Sequence, residues 1–346
     1  YDPTSNQWET LSPMSKTRYA MSAAVLEGKY YAIGGDLNRT IEIYDPATNT
    51  WSFGAPTPIP IDHSAAIGFL GKIYLVGGTS NNGSDKLFAF DPATNQWSSK
   101  ADKTIEAFGV SLLSFRNRLW AISGGGVESY DPSTDSWRVE AQMVAPRNFT
   151  AAWTSNDRIY AAGGRLHQSN PPMTSSIEVY DPNTNSWSQV GDLPDARDVA
   201  DAAIVDGKVY VIGGADGVGY TGKVFAADLP PPASDLYFRD GNATTGTRTS
   251  THELSAGSVT LNMLAPETLS LLDVDRTHAQ SAGSLLAIPR GEQPPPGYAL
   301  YKRSDRNGSL VWEEKAPASV ARYAGDGVEA LDGKIYFLGG SRLDGS

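Results

Sequence analysis

The chain repeats one eight-residue motif, which begins with Tyr or Phe, continues with Asp-Pro and ends with Trp. Its copies are residues 1–8, 44–51, 90–97, 130–137 and 180–187. A second element, a short apolar run ending in two glycines, recurs at 30–35, 73–78, 159–164, 209–214 and 335–340, with a drifted copy at 119–124. Units of this length cannot bury their apolar faces alone and must stack on neighbours. The repeat therefore determines the fold class and says little about function.

The spacing of the repeat matches one propeller blade. From Gly34 to Gly213 the first glycines of successive pairs lie 40 to 50 residues apart, enough for four short antiparallel strands with tight turns. The Gly-His and Trp-Asp signatures of WD40 repeats are missing. The double glycine followed by Tyr-Asp-Pro-x-Thr-x-x-Trp instead resembles the Kelch family of β-propellers, and the resemblance covers most of the chain. It implies an all-β ring of four-stranded blades.

The chemistry of the motif also favours a structural role. Asp caps a tight turn and Pro sets φ for the next position. The asparagines at 6, 49, 95 and 185 tolerate the left-handed conformation that closes such a turn. The following Trp has the size to fill the wedge between blades. Small residues at 20–25, 64–68, 150–153 and 200–205 suit innermost strands around a crowded channel.

The number of motif halves predicts six blades. Six glycine-pair halves are present, and Trp312 supplies a sixth outer-strand Trp beside the five motif copies. We expect residues 1–229 to form blades 1 to 5, with residues 1–11 also completing the last blade as its outer strand. Residues 308–346 would then hold the end of blade 5 and the inner strands of blade 6. Such closure leaves no exposed edge between the first and last blades.

One region breaks the period. The step from Gly213 to Gly339 is far longer than a blade needs, so residues 230–307 are predicted to be a subdomain inserted in the fifth blade. Proline runs at 230–232 and 294–296 bracket it as stiff spacers. Residues 224–229 are the expected third strand of that blade, with 299–303 as a competitor. The insertion is also a candidate oligomerisation segment.

Composition excludes several function classes. The net charge of −11 argues against a nucleic-acid surface, and no apolar run reaches membrane-spanning length. Cysteine is absent, which removes disulfides, thiol catalysis and thiolate metal sites. The copper site of galactose-oxidase-like propellers, whose fold this chain resembles, needs a Tyr–Cys crosslink and cannot form. A cysteine-free chain of this length fits a bacterial or exported protein, so we expect an extracytoplasmic or secreted location.

Metal or cofactor sites are not indicated. The four histidines, His63, His167, His252 and His278, show no His-x-x-x-His or similar spacing. We therefore predict no metal and no cofactor.

Aligning the repeats brings several arginines together. The start of the innermost strand holds Arg18, Ile61, Ala107, Arg147 and Arg197, and Arg322 lies one residue from the same register. These arginines would converge on one end of the channel, where their forks could bind carboxylates or phosphates. In Kelch repeats, however, an arginine here often braces neighbouring loops against a carboxylate. Both roles stay open.

The loops after the glycine pairs, which we call the rim loops, vary in length and sequence while the strands repeat. They are 36–39, 79–85, 165–173, 215–220 and 341–344, and Arg39, Arg165, His167 and Arg342 are their candidate ligand-binding residues. Variable loops on a rigid scaffold are typical of binding surfaces.

Three functions follow from these features. The first is a non-enzymatic module that contacts a protein or an acidic glycan through the rim loops and an arginine-lined channel mouth. The second is a carbohydrate-active enzyme of the sugar-acid isomerase or hydrolase type, with Glu106, Asp62 and His63 as acid–base candidates. The third is a structural spacer in a longer repeat protein.

Overall fold

The computed structural model describes residues 1–35, 39–78, 84–166, 172–229, 234–239, 284–289, 298–303, 310–318 and 328–337. The chain divides into two compact units, one of Tyr1–Leu229 with Ser309–Ser346 and one of Pro230–Gly308. The regular structure in these ranges is β-strand, as predicted for an all-β chain. Among the same residues no helix is long and apolar enough to cross a membrane.

The first unit contains five four-stranded antiparallel blades. Blade 1 comprises β1 (Ser22–Leu26), β2 (Lys29–Ile33), β3 (Ile41–Asp45) and β4 (Thr50–Gly54). Blade 2 comprises β5 (Ser64–Phe69), β6 (Lys72–Gly77), β7 (Leu87–Asp91) and β8 (Gln96–Ser99). Blade 3 comprises β9 (Ser111–Phe115), β10 (Arg118–Ile122), β11 (Val127–Asp131) and β12 (Ser136–Val139).

Blades 4 and 5 follow the same order. The pair β13 (Arg147–Asn148) and β16 (Arg165–Leu166) flanks blade 4, which comprises β14 (Ala151–Ser155), β15 (Arg158–Ala162), β17 (Ser176–Asp181) and β18 (Ser186–Asp192). Blade 5 contains β19 (Asp201–Val205), β20 (Lys208–Ile212) and β21 (Val224–Asp228). The second unit holds β22 (Ser234–Arg239), β23 (Ser284–Pro289) and β24 (Tyr298–Arg303) as one sheet. The first unit resumes with β25 (Trp312–Lys315), β26 (Val328–Leu331) and β27 (Lys334–Phe337).

The strand pairing of blade 5 agrees with the sequence analysis. Its third strand is β21, and its outer strand is β25, which carries Trp312 opposite Ala227. The competing segment 299–303 lies instead in β24, paired with β22. The sequence predicted six four-stranded blades, whereas the described residues show five. The remaining strands β26 and β27 form a two-stranded sheet.

The core lies between adjacent blades. Between blades 1 and 2, for example, Ile33 and Ile41 pack against Leu75 and Phe90 from the next blade, and all four are almost fully buried. The glycine pairs permit this close approach. Gly34 has a φ of 66°, and a Cβ there would lie 2.5 Å from the Ile61 carbonyl oxygen of blade 2.

The motif tryptophans connect neighbouring blades by hydrogen bonds. Each indole Nε1 donates to the backbone carbonyl of a residue that follows another outer-strand Trp by four positions. The bonds join Trp51 to Ser12 (2.8 Å), Trp97 to Ala55 (3.0 Å), Trp137 to Ala101 (2.8 Å), Trp187 to Ala141 (2.9 Å) and Trp8 to Ala316 (3.0 Å).

The polar residue two positions before the Trp completes this contact. In four motifs its side-chain oxygen accepts a hydrogen bond from the N–H of the residue whose carbonyl accepts from the indole. The donors and acceptors are Ser12 and Asn49, Ala55 and Asn95, Ala101 and Asp135, and Ala316 and Asn6. The acceptor residues have φ near 50°, as predicted for Asn6, Asn49 and Asn95. In these motifs the indole of the Trp and the side-chain oxygen two positions before it bond the C=O and the N–H of one residue in the neighbouring blade. We call this pair of hydrogen bonds the interblade clasp.

Trp312 is the exception. Its Nε1 is buried and has no hydrogen-bond partner among the described residues. The Asp-Pro and Asn of the motif are missing before it, because the chain departs after β21 and returns only at β25. The outer strand of blade 5 therefore lacks the indole hydrogen bond that Trp8, Trp51, Trp97, Trp137 and Trp187 make.

The clasp predicts unequal costs for the same substitution. Trp137→Phe keeps an aromatic ring but leaves the Ala101 carbonyl without its partner, so the free energy of unfolding should fall by about 1–2 kcal/mol more than in Trp312→Phe. Urea denaturation of both variants measures the difference. Equal losses would show that the tryptophans act only by packing.

Candidate binding site at the channel mouth

The innermost strands are preceded by a ring of five residues with left-handed backbone. Ala20, His63, Gly109, Phe149 and Val199 have φ between 49° and 61°. Each blade's residue is bonded to the next through N–H to C=O contacts of 2.9 Å (His63 to Ala20), 3.4 Å (Gly109 to His63), 2.8 Å (Phe149 to Gly109) and 3.2 Å (Val199 to Phe149). Four of the five are not glycine, and such strained positions cluster at functional sites. We call this ring the channel mouth.

The arginines and the residues aligned with them occupy the same position in their blades. Arg18, Ile61, Ala107, Arg147 and Arg197 each lie two residues before a residue of the channel mouth. The three arginine side chains are almost fully buried. Their contacts are therefore to their own blades.

Arg18 and Arg147 make the same brace. Arg18 donates to the Gly34 carbonyl at 2.6 Å and pairs with Glu42 at 2.9 Å. Arg147 pairs with Glu178 at 2.9 Å and donates to the Ala161 carbonyl at 3.2 Å. Burial lowers the pKa of the Arg147 guanidinium, and Glu178 opposes that shift.

Arg197 is held differently. Its guanidinium lies 4.4 Å from the centre of the Phe225 ring, donates to the Gly213 carbonyl at 3.0 Å and pairs with Asp195 at 3.3 Å. Its cation–π contact replaces the buried carboxylate of the other braces. The contacts of the three arginines thus brace their own blades. Direct binding of a ligand by these arginines stays a prediction.

The carboxylates of the braces carry a sequence signal that the motif analysis missed. Glu42, Glu128 and Glu178 each lie two residues before the Tyr of the Asp-Pro motif, in IEIYD, VESYD and IEVYD. In blade 3 Lys103, 3.4 Å from Glu128, replaces the arginine. In blade 2 both positions are apolar, with Ile61 and Phe88. Blade 5 keeps Arg197 but has Phe225 at the glutamate position, so the arginine and the glutamate occur together only in blades 1 and 4.

The acid–base candidates do not gather into one set. His63 Nδ1 lies 3.6 Å from Asp62 Oδ1, and the Asp62 side chain is 47% exposed. Glu106 is exposed on the loop before β9. The structure therefore places two of the three together by chain proximity.

Two rim-loop candidates lie in the described ranges. Arg39 is exposed and donates to the Pro58 carbonyl at 2.9 Å. Arg165 is half-exposed and pairs with the buried Asp198 at 2.5 Å. Burial raises the pKa of Asp198, and Arg165 opposes the shift. His167, Arg322 and Arg342 lie outside the described residues.

An aromatic cluster at the channel mouth was not predicted. Tyr19, His63, Phe149 and Phe108 form a chain of contacts, with ring centres 5.5, 6.3 and 5.8 Å apart in that order. Tyr19 and Phe108 are 42% and 45% exposed. Gly109 makes room for this cluster, because a Cβ there would lie 2.5 Å from the Phe149 ring.

Behind the mouth lies a cavity of about 320 Å³, walled by the innermost strands. Hydroxyl pairs cross from blade to blade in its wall, Ser22 to Ser64 at 2.6 Å and Ser111 to Thr150 at 2.8 Å. Asp201 also lines it, and burial raises the pKa of this carboxyl to about 6, against hydrogen bonds from the Ala202 and Val328 amides. Within the ranges that the structure describes, no three His, Cys, Asp or Glu side chains gather as metal ligands.

The braces predict that a single substitution lowers the free energy of unfolding far more than the paired substitution does. Arg147→Ile alone leaves Glu178 buried without its cation and should lower the free energy of unfolding by about 3–5 kcal/mol. Arg147→Ile with Glu178→Phe reproduces the residues of blade 2 and should recover most of that loss. Guanidinium denaturation of the single and double variants measures both. A double variant as unstable as the single one would contradict an interchangeable brace.

Asp201 predicts a local pH dependence. Because its pKa is about 6 in the folded protein and 3.8 as the reference value, the folded state binds the proton more tightly between these values. Its contribution to the free energy of unfolding should therefore fall as pH rises from 4 to 6, by on the order of 3 kcal/mol. Comparing denaturation of wild type and Asp201→Asn across this range isolates the effect. Parallel curves would contradict a raised pKa.

Comparison with known proteins agrees with the repeat geometry. The Kelch motif matches residues 17–58, 63–104 and 146–194, which are blades 1, 2 and 4. The blades without a match are blade 3, where the glycine pair has drifted, and blade 5, where the outer strand is displaced. No curated protein matches the chain significantly. Three blades thus carry the Kelch motif, in a propeller ring of four-stranded blades.

Proposed function

We propose that the chain is a non-enzymatic binding module that contacts a protein partner through its channel-mouth face. Kelch propellers typically serve as protein-interaction modules. The observation that carries the proposal is the exposure of Tyr19 and Phe108, two large rings in one cluster on a strained backbone ring. Aromatic side chains are enriched at the energetic centres of protein interfaces.

The braces support this role indirectly. Arg18 and Arg147 tie the segments before β1 and β14 to buried carboxylates of their own blades. The backbone beneath Tyr19 is thereby fixed before a partner arrives. Preorganisation of this kind reduces the entropy lost on binding.

Charge at the face would come from exposed arginines. Arg39 and Arg165 reach solvent, whereas Arg18, Arg147 and Arg197 are buried. We therefore assign contact with an acidic partner to the first two, and a positioning role to the other three. An acidic glycan would use the same exposed arginines, so glycan binding is an outcome that the test below distinguishes.

A carbohydrate-active enzyme is the second candidate. The specific observation that favours it is the approach of Asp62 to His63, at 3.6 Å, beside the aromatic rings of the mouth. A carboxylate near an imidazole can orient it for proton transfer.

We also propose that residues 1–11 complete a sixth blade on β26 and β27. Tyr1 exchanges hydrogen bonds with Ile335, 2.7 Å from the terminal amine and 2.9 Å to the Tyr1 carbonyl. Trp8 and Asn6 make the interblade clasp with Ala316. If this pairing closes the ring, Trp8→Phe should cost as much stability as Trp137→Phe; a cost near that of Trp312→Phe would contradict closure.

Two further proposals rest on the sequence alone. They are an extracytoplasmic or secreted location, from the absence of cysteine, and oligomerisation through residues 230–307.

The aromatic cluster predicts which surface binds. Tyr19→Ala with Phe108→Ala should weaken binding of a captured partner by about thirtyfold or more, the loss expected for an interface hot spot. Phe53→Ala is the matched control, because Phe53 is a 61% exposed aromatic residue on β4. Partners enriched from a lysate by wild type are measured by surface plasmon resonance against all three proteins.

Equal binding by the double variant and wild type would contradict the mouth as the contact surface. Binding of an acidic glycan array by wild type, lost in Arg39→Ala with Arg165→Ala but kept in the aromatic variant, would favour the glycan over a protein.

A further inference from the structure

Asp201 is a carboxylate that lines the channel cavity and pairs with no cation among the residues that the structure describes. It begins β19, where one oxygen accepts the Ala202 N–H at 2.8 Å and the other accepts the Val328 N–H at 3.2 Å. No Lys, Arg or His of the described residues lies within ion-pair distance of it. Carboxylates shielded from bulk water are ordinarily paired, so a partly buried one that faces a cavity without such a partner among the described residues is unusual.

The charged groups on the neighbouring elements face elsewhere. Lys208 on β20 pairs with Asp228 on β21 and with Glu313 on the outer strand β25. The strand β14 carries no charged residue, and the side chain of Glu329 on β26 lies outside the described residues. The raised pKa of Asp201 accordingly arises from burial, with only the two backbone amides opposing it.

The cavity in front of Asp201 has room for a small molecule. Its volume of about 320 Å³ is roughly ten times the space that one water occupies in the liquid. Its wall combines acceptor hydroxyls, as in Ser22 and Ser111, with apolar side chains such as Ile67, Leu113 and Trp153. The site thus offers one negative charge, several oxygen acceptors and an apolar surface.

From this cavity and its unpaired carboxylate we infer that the channel binds a small aliphatic amine, with the ammonium group on Asp201. An ammonium has three N–H donors, which suit a carboxylate and neighbouring hydroxyls, and its single charge balances one carboxylate. A divalent metal would need more oxygen ligands than this wall gathers. The inference is independent of the partner proposed for the channel-mouth face.

The channel mouth favours a free amine over a lysine side chain of a partner. The Phe149 ring packs against Ala20 and Val199 from two other blades and contacts the His63 ring. It therefore lies across the mouth, where a polypeptide backbone carrying the lysine would have to approach. A small amine has no such flanking chain.

The test uses n-butylammonium chloride, titrated into the whole chain by isothermal calorimetry. Binding should occur at pH 7 and weaken about tenfold at pH 5, because the ionised fraction of a carboxyl with a pKa of about 6 falls by that factor. 1-Butanol and butyrate, which have the same carbon chain without the positive charge, should not bind. Asp201→Asn should abolish binding, whereas Asp228→Asn, which removes an 81% exposed carboxylate, should not.

Three results would overturn the inference. They are the absence of butylammonium binding by wild type at pH 7, an affinity independent of pH between 5 and 7, and equal affinity in Asp201→Asn. The blocked lysine N-acetyl-lysine-N-methylamide separates the two sources of the ammonium group. If it bound while butylammonium did not, a partner's lysine would replace the free amine. None of these readouts depends on the aromatic cluster, so failure here leaves the protein-binding proposal standing.

Discussion

The interblade clasp is the interaction on which this propeller depends. A single blade cannot bury its apolar faces by itself, so the ring forms only if each blade is fixed against the next. The motif achieves this with two side chains. Asn accepts the N–H and Trp donates to the C=O of a single residue four positions after the neighbouring Trp, as at Ala55 and Ala101. Without these two side chains, the N–H and C=O of that residue would have no hydrogen-bond partner at the edge of the sheet.

The motif made most of the fold predictable because the same residues set turn, strand and contact. Asn49 shows how, since one residue closes the turn with a positive φ and also accepts a hydrogen bond from the next blade. The number of complete blades was less accessible. The last sheet has two strands in the described residues, and its pairing with Tyr1 joins residues 334 positions apart. The repeat predicted that residues 1–11 join the last blade, but it did not indicate that the described residues of that blade would form a sheet of only two strands.

The sequence predicted which positions of the blades carry the arginines, but it did not predict which side chains those arginines contact. Alignment of the repeats located Arg18 and Arg147, but their burial depends on Glu42 and Glu178, which come from a different strand. The sequences IEIYD and IEVYD, which place each glutamate two residues before the motif Tyr, did contain that information. The aromatic cluster was inaccessible for another reason. His63 and Phe149 meet only because non-glycine residues adopt left-handed backbone at equivalent points of different blades.

The charged side chains near the channel differ in whether an opposite charge lies beside them, and this difference distinguishes a structural role from a binding role. Arg18 and Arg147 each have a carboxylate within 2.9 Å, so their burial is compensated inside one blade and adds rigidity without an available charge. Asp201 is only partly buried, and among the described residues its carboxylate accepts hydrogen bonds from two backbone amides and pairs with no cation. A carboxylate needed solely for packing would be better replaced by Ser or Ala, which occupy neighbouring strands at this level, Ser22 in blade 1 and Ala65 in blade 2. The chain retains a destabilising charge at the centre of the ring, where a cationic guest would compensate it.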